Sequence, residues 1–380
     1  MLSFIIYKSI ICVVIFAVSL GIAAYSTWWE RKFAGLLQDR WGPSRAGWFG
    51  LLQPLADGGK MLFKEEIIPN VSNKFLFVLA PALFIITAII AGVLIPWAAP
   101  VTVNGVSYPL QVADVNVGVI FLLGVTSVGV YGIMIGGWAS NNKYSLLGAI
   151  RASAQMISYE LAMGISLIAL IISAGGSLSF SEIIAAQDAG VANIVWQPFG
   201  FLIFFVCALA ETNRAPFDLA ECETELVGGY HTEYSAFKLG LFLFAEYINM
   251  FVSSAVISTL YFGGYNFPFM DNLYNALGAT NTAHNIVTIL GTVFLFGKIF
   301  FFIFFYMWVR WTLPRFRYDQ LMNLGWKMLI PLSILNVVVT GFGLLYDVKW
   351  ASWAVVVLLV GLSVAMASRS AGKVLQASQG

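Results

Sequence analysis

Cysteine, histidine and charge are all scarce in this chain. Three cysteines (Cys12, Cys207 and Cys222) and two histidines (His231 and His284) are scattered over 380 residues, too few and too dispersed for an iron-sulfur cluster or a zinc site. A bis-histidine haem is disfavoured as well, because His231 sits in an acidic stretch while His284 sits in a loop assigned below to the opposite side. No glycine-rich phosphate loop, nucleophile elbow or paired-histidine motif is present, which leaves nucleotide chemistry without a site and points to no nucleic-acid partner. Only 10% of residues are charged, against 59% apolar, and the mean hydropathy of +0.84 lies outside the range of an ordinary soluble domain. If the protein takes part in redox chemistry, the electrons belong to a partner or a diffusible carrier.

What is present is a series of long uncharged runs with the charges gathered between them, which argues for spanning helices rather than an alternating barrel. The runs are Ser9 to Trp29 and, approximately, Phe75 to Trp97, Val115 to Trp138, Ala154 to Ala174, Ile194 to Ala210, Leu239 to Phe262, Val287 to Trp308, Met328 to Leu345 and Trp350 to Ala367. This predicts an all-α polytopic membrane protein with about nine transmembrane helices, residues 1–380 forming a single integral membrane domain. Loops 98–114, 175–193 and 263–286 contain no Lys or Arg, whereas the alternate loops and the C-terminal segment carry the basic residues. Positive charge marks the cytoplasmic side, so the N-terminus is expected outside and the C-terminus inside. The heavier positive flank after the first run reads as a signal anchor rather than a cleaved peptide.

Residues 30–74 hold seven basic residues. Within them Trp48, Leu51, Leu52, Leu55, Leu62 and Phe63 recur at helical spacing, with Gln53, Asp57, Lys60 and Lys64 on the opposite stripe. This pattern predicts an amphipathic helix, lying either in the membrane interface or on a neighbouring protein.

Residues 211–233 contain six acids (Glu211, Asp218, Glu221, Glu223, Glu225 and Glu233) against the lone Arg214. A solvated acidic loop is one reading. The interleaved Pro216, Phe217, Leu219, Leu226 and Val227 favour a buried polar site. On a helix Asp218, Glu221 and Glu225 would share a face, and Arg214 would be within ion-pair reach of Asp218. Because this stretch lies on the same side as the basic loops, segments 30–74, 211–238 and 310–327 are expected to pack together and enclose a polar chamber. Glu160, Glu211 and Glu246 fall within or at the ends of spans. They are either proton-exchanging groups or static hydrogen-bonded locks between helices. Tyr159, Tyr230, Tyr234 and Tyr247 lie beside them and could extend a hydrogen-bonded path, although tyrosine is common near an interface. Lys298, in the seventh run, could either snorkel or pair with one of these acids.

Several strings resemble one family, the quinone-channel membrane subunit of respiratory complex I, found in bacteria and as subunit 1 in mitochondria. They are Glu30-Arg31-Lys32 with Gln38, Arg40, Gly42 and Pro43; Gln53-Pro54 with Asp57 and Lys60; Gln155 with Ser158-Tyr159-Glu160; Glu211 through Glu225; Glu233-Tyr234; Glu246-Tyr247; and Pro314 through Gln320. The resemblance implies a chain in the bacterial cytoplasmic (inner) membrane that joins the membrane arm to the hydrophilic arm of an NADH:quinone oxidoreductase. Ubiquinone or menaquinone would be the substrate, none of it covalently held, with iron-sulfur clusters and FMN in partner subunits. The implied partners are peripheral-arm iron-sulfur and quinone-site subunits, antiporter-like and small membrane-arm subunits, and the lipid bilayer. Carried over by position, Arg31, Arg40, Asp57, Lys60, Arg214, Arg310, Arg315 and Arg317 would line or brace the quinone passage. Glu160, Glu211, Asp218, Glu221, Glu223, Glu225 and Glu246 would begin the path that couples quinone reduction to proton translocation. The last run exceeds the usual mitochondrial form, which favours a bacterial-type protein, and Cys222 stands where the family has glycine. The competing readings are the related membrane subunit of a membrane-bound hydrogenase and a stand-alone ion or proton transporter. A transporter would usually show two similar halves with matching broken helices, but the acidic loop has no counterpart elsewhere in the chain.

Overall fold

The computed structural model describes residues 2–103, 106–188, 191–219, 226–278, 280–348 and 350–359. Nine helices organise them: α1 (Leu2–Leu37), α2 (Gln53–Phe63), α3 (Lys74–Val93), α4 (Gly118–Ala139), α5 (Lys143–Ser173), α6 (Pro198–Glu211), α7 (Ala236–Tyr261), α8 (Asn281–Thr312) and α9 (Tyr318–Leu345). Seven of these, all except α2 and α6, are long and apolar enough to cross a membrane. The fifth uncharged run is helical but interrupted. Pro198 lacks an N–H and disfavours helical backbone in Gln197, which lies at φ −126 and ψ 54. The run divides there into Asn193–Trp196 and the 14-residue α6, which at 1.5 Å per residue is only about 21 Å long. The run from Trp350 is helical over 351–359, and its remainder lies outside the described residues.

The described residues are not entirely helical. Val101–Val103 and Val106–Tyr108 pair antiparallel as a short hairpin, with Thr102 opposite Ser107. Alternating β-branched residues favour this extended pairing. Asn285, in the first turn of α8, receives the Thr102 backbone N–H at 3.0 Å and donates to the Thr102 carbonyl at 2.8 Å, which fastens the hairpin to the bundle.

Side-chain caps set where several helices begin. Asn73, Asn142 and Thr280 accept backbone N–H groups from the first turns of α3, α5 and α8. The main core joins α1 and α3 through α9, and α7 is its axis: Ile248, Met250, Phe251, Ala255, Ile257 and Leu260 are completely or almost completely buried. A second core packs Phe77 and Phe84 of α3 and Ile133 of α4 against Phe242 of α7, together with Tyr230 and Tyr234 from the loop before it. Gly148 permits this loop to approach, because a Cβ there would lie 2.8 Å from the backbone of Gly229.

Within the stretch expected to form an amphipathic helix, α2 covers only Gln53–Phe63 and is shorter than the apolar stripe. Gly47 and Gly50 take left-handed backbone (φ 72 and 81), and residues 48–50 form a separate tight turn ahead of it. Pro54 occupies the first turn of α2, where its missing N–H leaves no intrahelical bond unmade. Leu55, Leu62 and Phe63 face away from the rest of the chain, Phe63 being 93% exposed. Gln53 and Asp57 turn inward toward α1.

Lys298 pairs with no acid among the described residues. Its ammonium donates to the carbonyls of Phe262, Gly264 and Asn266, each at 2.7 Å, and so caps the end of α7. A cation at a helix C-terminus is also favoured by the helix dipole. Lys298→Met is expected to leave these carbonyls without their donor, at about 1–3 kcal/mol for each one that stays buried and unmatched. The expected readout is a lower thermal unfolding temperature of the detergent-purified protein, and an unchanged temperature would show that the cap is dispensable.

Candidate functional site

α1 is 36 residues long, about 54 Å at 1.5 Å per residue, so it continues past hydrocarbon thickness and carries Glu30 into the interior. There Glu30 is paired from two sides. Arg214 Nη1, in the loop after α6, lies 2.8 Å from one carboxylate oxygen, and Arg310, in the last turn of α8, pairs with the other. The Glu30 and Arg214 side chains are each only 6% exposed. Tyr247 of α7 donates its hydroxyl to Glu30 at 3.0 Å, and the Arg214 guanidinium lies 3.8 Å from the centre of the Tyr247 ring. Burial works against the Arg214 charge, but Tyr247, Glu30 and Glu246 outweigh it and push the guanidinium pKa up. Four elements distant in sequence thus converge on one carboxylate.

Arg214 does not pair with Asp218, as their four-residue separation predicts for a helix. α6 ends at Glu211 and Asn213 adopts left-handed backbone (φ 50), so residues 214–218 are not helical. Asp218 instead receives Arg315 Nη2 at 2.6 Å. The two segments are also joined through their backbones, Phe316 N donating to the Pro216 carbonyl at 3.2 Å. Gln155 of α5 holds the loop from below, donating to the carbonyls of Ala210 (2.8 Å) and Phe217 (2.7 Å). Tyr159 and Ser158 of the same helix bond to Leu321 and Trp326 of α9.

On the first inner segment, Arg31 pairs with Asp57 at 2.6 Å, and Gln53 donates to the other Asp57 oxygen at 2.9 Å. These contacts tie α2 to α1. Lys238 pairs with Glu66, and Asn142 donates to Glu233 at 2.6 Å. Segments 30–74, 211–238 and 310–327 therefore touch through ion pairs at one end of the bundle. Arg40, which bonds Gln38 at 2.7 Å, and Lys60 and Arg317 are exposed and stand apart from the buried cluster.

Among the carboxylates expected along a coupling path, Glu246 is buried and accepts the Tyr230 hydroxyl at 3.0 Å. Glu160 accepts the Ser127 hydroxyl from α4. Glu211 lines a cavity of about 30 Å³ with Thr126, Thr212, Asn249 and Ser253. That volume suffices for a single water molecule among hydrogen-bonding partners. Glu221, Glu223, Glu225 and Cys222 lie outside the described residues. The principal member that sequence reasoning missed is Glu30, which reads there as part of a charged flank. The available signal was an acid immediately following an uncharged run and preceding two basic residues.

A separate apolar cavity of about 350 Å³ lies between Gly21, Ile22, Tyr25 and Trp29 of α1 and Phe300 of α8. No group of three or more His, Cys, Asp or Glu side chains suited to a metal ion occurs among the described residues.

A family model described as NADH dehydrogenase matches residues 10–341. An NADH-quinone oxidoreductase subunit of Cytophaga hutchinsonii is 60% identical over 338 residues, covering 89% of this chain and 96% of the relative. The corresponding subunit of Flavobacterium johnsoniae is 59% identical over 340 residues, covering 89% and 95%. NADH-quinone oxidoreductase subunit 8 of Rhodothermus marinus is 49% identical over 341 residues, covering 89% and 97%. Matches of this extent to proteins of one kind, over the helices that carry the buried ion pairs, establish that the chain belongs to the NADH dehydrogenase family.

Proposed function

We propose that this chain is the membrane subunit of an NADH-quinone oxidoreductase, that it admits quinone from the bilayer, and that it links quinone reduction to proton translocation. The observation that carries this reading is the ion-pair cluster of Glu30, Arg214 and Arg310, in which Glu30 and Arg214 are buried, together with an apolar cavity formed by the preceding turns of α1 and Phe300 of α8. An isoprenoid tail fits the apolar side, and the polar headgroup fits the charged side. Reduction of a quinone to a quinol consumes two electrons and two protons. The electrons come from iron-sulfur clusters of partner subunits, since this chain's role is to hold and orient the headgroup and to manage charge. The protons draw on the carboxylates: Asp218 beside Arg315, then Glu246 with Tyr230, then Glu211 and Glu160.

The physical basis of the coupling is charge balance in a poorly solvated site. Each proton gained or lost near Arg214 and Arg315 changes the field at the next carboxylate, and interactions between partly buried charges are only weakly screened by salt. Segments 30–74, 211–238 and 310–327 form the polar chamber and face the cytoplasm, while the loops without basic residues face outward in a bacterial inner membrane. α2 lies in the interface with Leu55, Leu62 and Phe63 toward lipid.

The test is purification of the tagged chain in mild detergent. The expected result is a complex that includes iron-sulfur and flavin subunits and reduces a short-chain quinone with NADH. Isolation of the chain alone, or a complex reducing protons to hydrogen without quinone, would overturn this reading.

A further inference from the structure

We propose that Tyr306 of α8 is a positioning residue that acts through Ser253 of α7 to set the pH at which Glu211 exchanges its proton. This rests on the reading of Glu211 as a proton-exchanging group and names a residue that governs it.

Tyr306 is buried, only 2% exposed. Residues 300, 301, 302, 304 and 305 of the same helix are all phenylalanine, and the Tyr306 ring packs on Phe205 of α6 with centres 5.4 Å apart. A bare ring meets the packing need at this level of α8, whereas a buried hydroxyl costs free energy unless it is bonded. The Tyr306 hydroxyl lies 2.8 Å from Ser253 Oγ, its one hydrogen bond among the described residues.

A buried phenol with a single oxygen neighbour donates to it, because buried donors are nearly always matched. Tyr306 is therefore the donor and Ser253 the acceptor, which leaves the Ser253 proton to find a partner of its own. The Met250 carbonyl, at 3.5 Å, is at the outer limit of a hydrogen bond. Ser253 also lines the cavity of about 30 Å³ that holds Glu211, so its proton is free to turn to the carboxylate or to a water bound there. A hydroxyl that accepts one hydrogen bond becomes a stronger donor in the next. Tyr306 thereby strengthens a donor that favours ionised Glu211, and the two side chains are near enough to interact electrostatically.

Among the described residues, the other titratable groups that act on Glu211 are Glu160 of α5 and Cys207, one turn back in α6. α3, α4 and α7 offer the cavity only apolar, hydroxyl and amide side chains, Ala91, Thr126 and Asn249 among them. Arg310, one turn beyond Tyr306 on α8, is committed to Glu30.

The test is the pH profile of NADH-driven quinone reduction by the assembled complex. The limb due to Glu211 is the one that Glu211→Gln removes. Tyr306→Phe keeps the ring and removes only the hydroxyl. It should move that limb to higher pH by roughly half a unit to one unit, the worth of one hydrogen bond to an acid that loses a donor to its ionised form. Replacing Tyr306 by a ring-fluorinated tyrosine, a stronger donor of nearly the same size, should move the limb to lower pH, and this variant carries the test if Tyr306→Phe does not assemble. In the Glu211→Gln background, Tyr306→Phe should leave the profile without further change. A limb that is lost in Glu211→Gln yet stays in place under both changes at Tyr306 would overturn the inference alone and leave Tyr306 a packing residue. A profile untouched by Glu211→Gln would overturn the reading of Glu211 as well.

Discussion

Replacing Glu30 with glutamine should prevent stable assembly of the complex, because it removes the anion shared by Arg214 and Arg310. Breaking a buried ion pair from one side leaves an uncompensated charge and costs about 3–5 kcal/mol. That is a large part of the roughly 5–15 kcal/mol by which a folded protein is stable. Arg310, 29% exposed, can still reach water, but Arg214, 6% exposed, cannot. The burden therefore falls on Arg214, and a second substitution separates the causes. Glu30→Leu combined with Arg214→Met replaces the pair by apolar side chains, which is often neutral or better for stability. The double variant should recover assembly on native gels relative to Glu30→Gln, yet should not recover quinone reduction if the charged cluster orients the headgroup. Assembly of Glu30→Gln at wild-type level, or a double variant as unstable as the single one, would show that Arg214 is compensated by other groups.

Replacing Glu246 with glutamine should have the opposite profile: a complex that assembles but is slow or uncoupled. Glutamine keeps the shape of the side chain and an acceptor for the Tyr230 hydroxyl, so the packing of α7 against the loop at residues 229–234 survives. What is lost is the exchangeable proton and the negative charge. Glu211→Gln should behave similarly, because Thr126, Thr212, Asn249 and Ser253 around its small cavity can all bond to an amide. The contrast between the two kinds of variant is the point. Glu30 is paired directly with two arginines and acts structurally, whereas Glu246 accepts a tyrosine hydroxyl and interacts electrostatically with Arg214, and Glu211 lies among hydroxyl and amide side chains; these two are the proposed proton-exchanging groups.

Much of this architecture is legible in the sequence, and its failures have local causes. Uncharged runs locate α1, α3, α4, α5, α7, α8 and α9 because hydrocarbon tolerates little else. The run containing α6 is as apolar as the others, but Pro198 divides it, a signal that outranks hydropathy. The hairpin at residues 101–108 is short enough to pass as loop, although its β-branched alternation marks it. Ion-pair partners are the least legible feature. Counting four residues along a presumed helix joins Arg214 to Asp218, whereas folding brings Arg214 to Glu30 and Asp218 to Arg315. Such pairings depend on how helices cross, and no local pattern encodes that. Lys298 likewise finds backbone carbonyls at the end of α7 rather than an acid, an outcome set by the register of α8 against α7. The resemblance motifs acquire physical roles in the same way: Gln155, for instance, is the tether that holds the loop after α6 against α5.

The most direct measurement is the number of protons translocated per NADH oxidised by the assembled Glu246→Gln complex in sealed proteoliposomes. The account predicts an intact complex in which quinone reduction is slowed or proton movement falls well below wild type. An assembled complex with wild-type turnover and wild-type proton yield would contradict it.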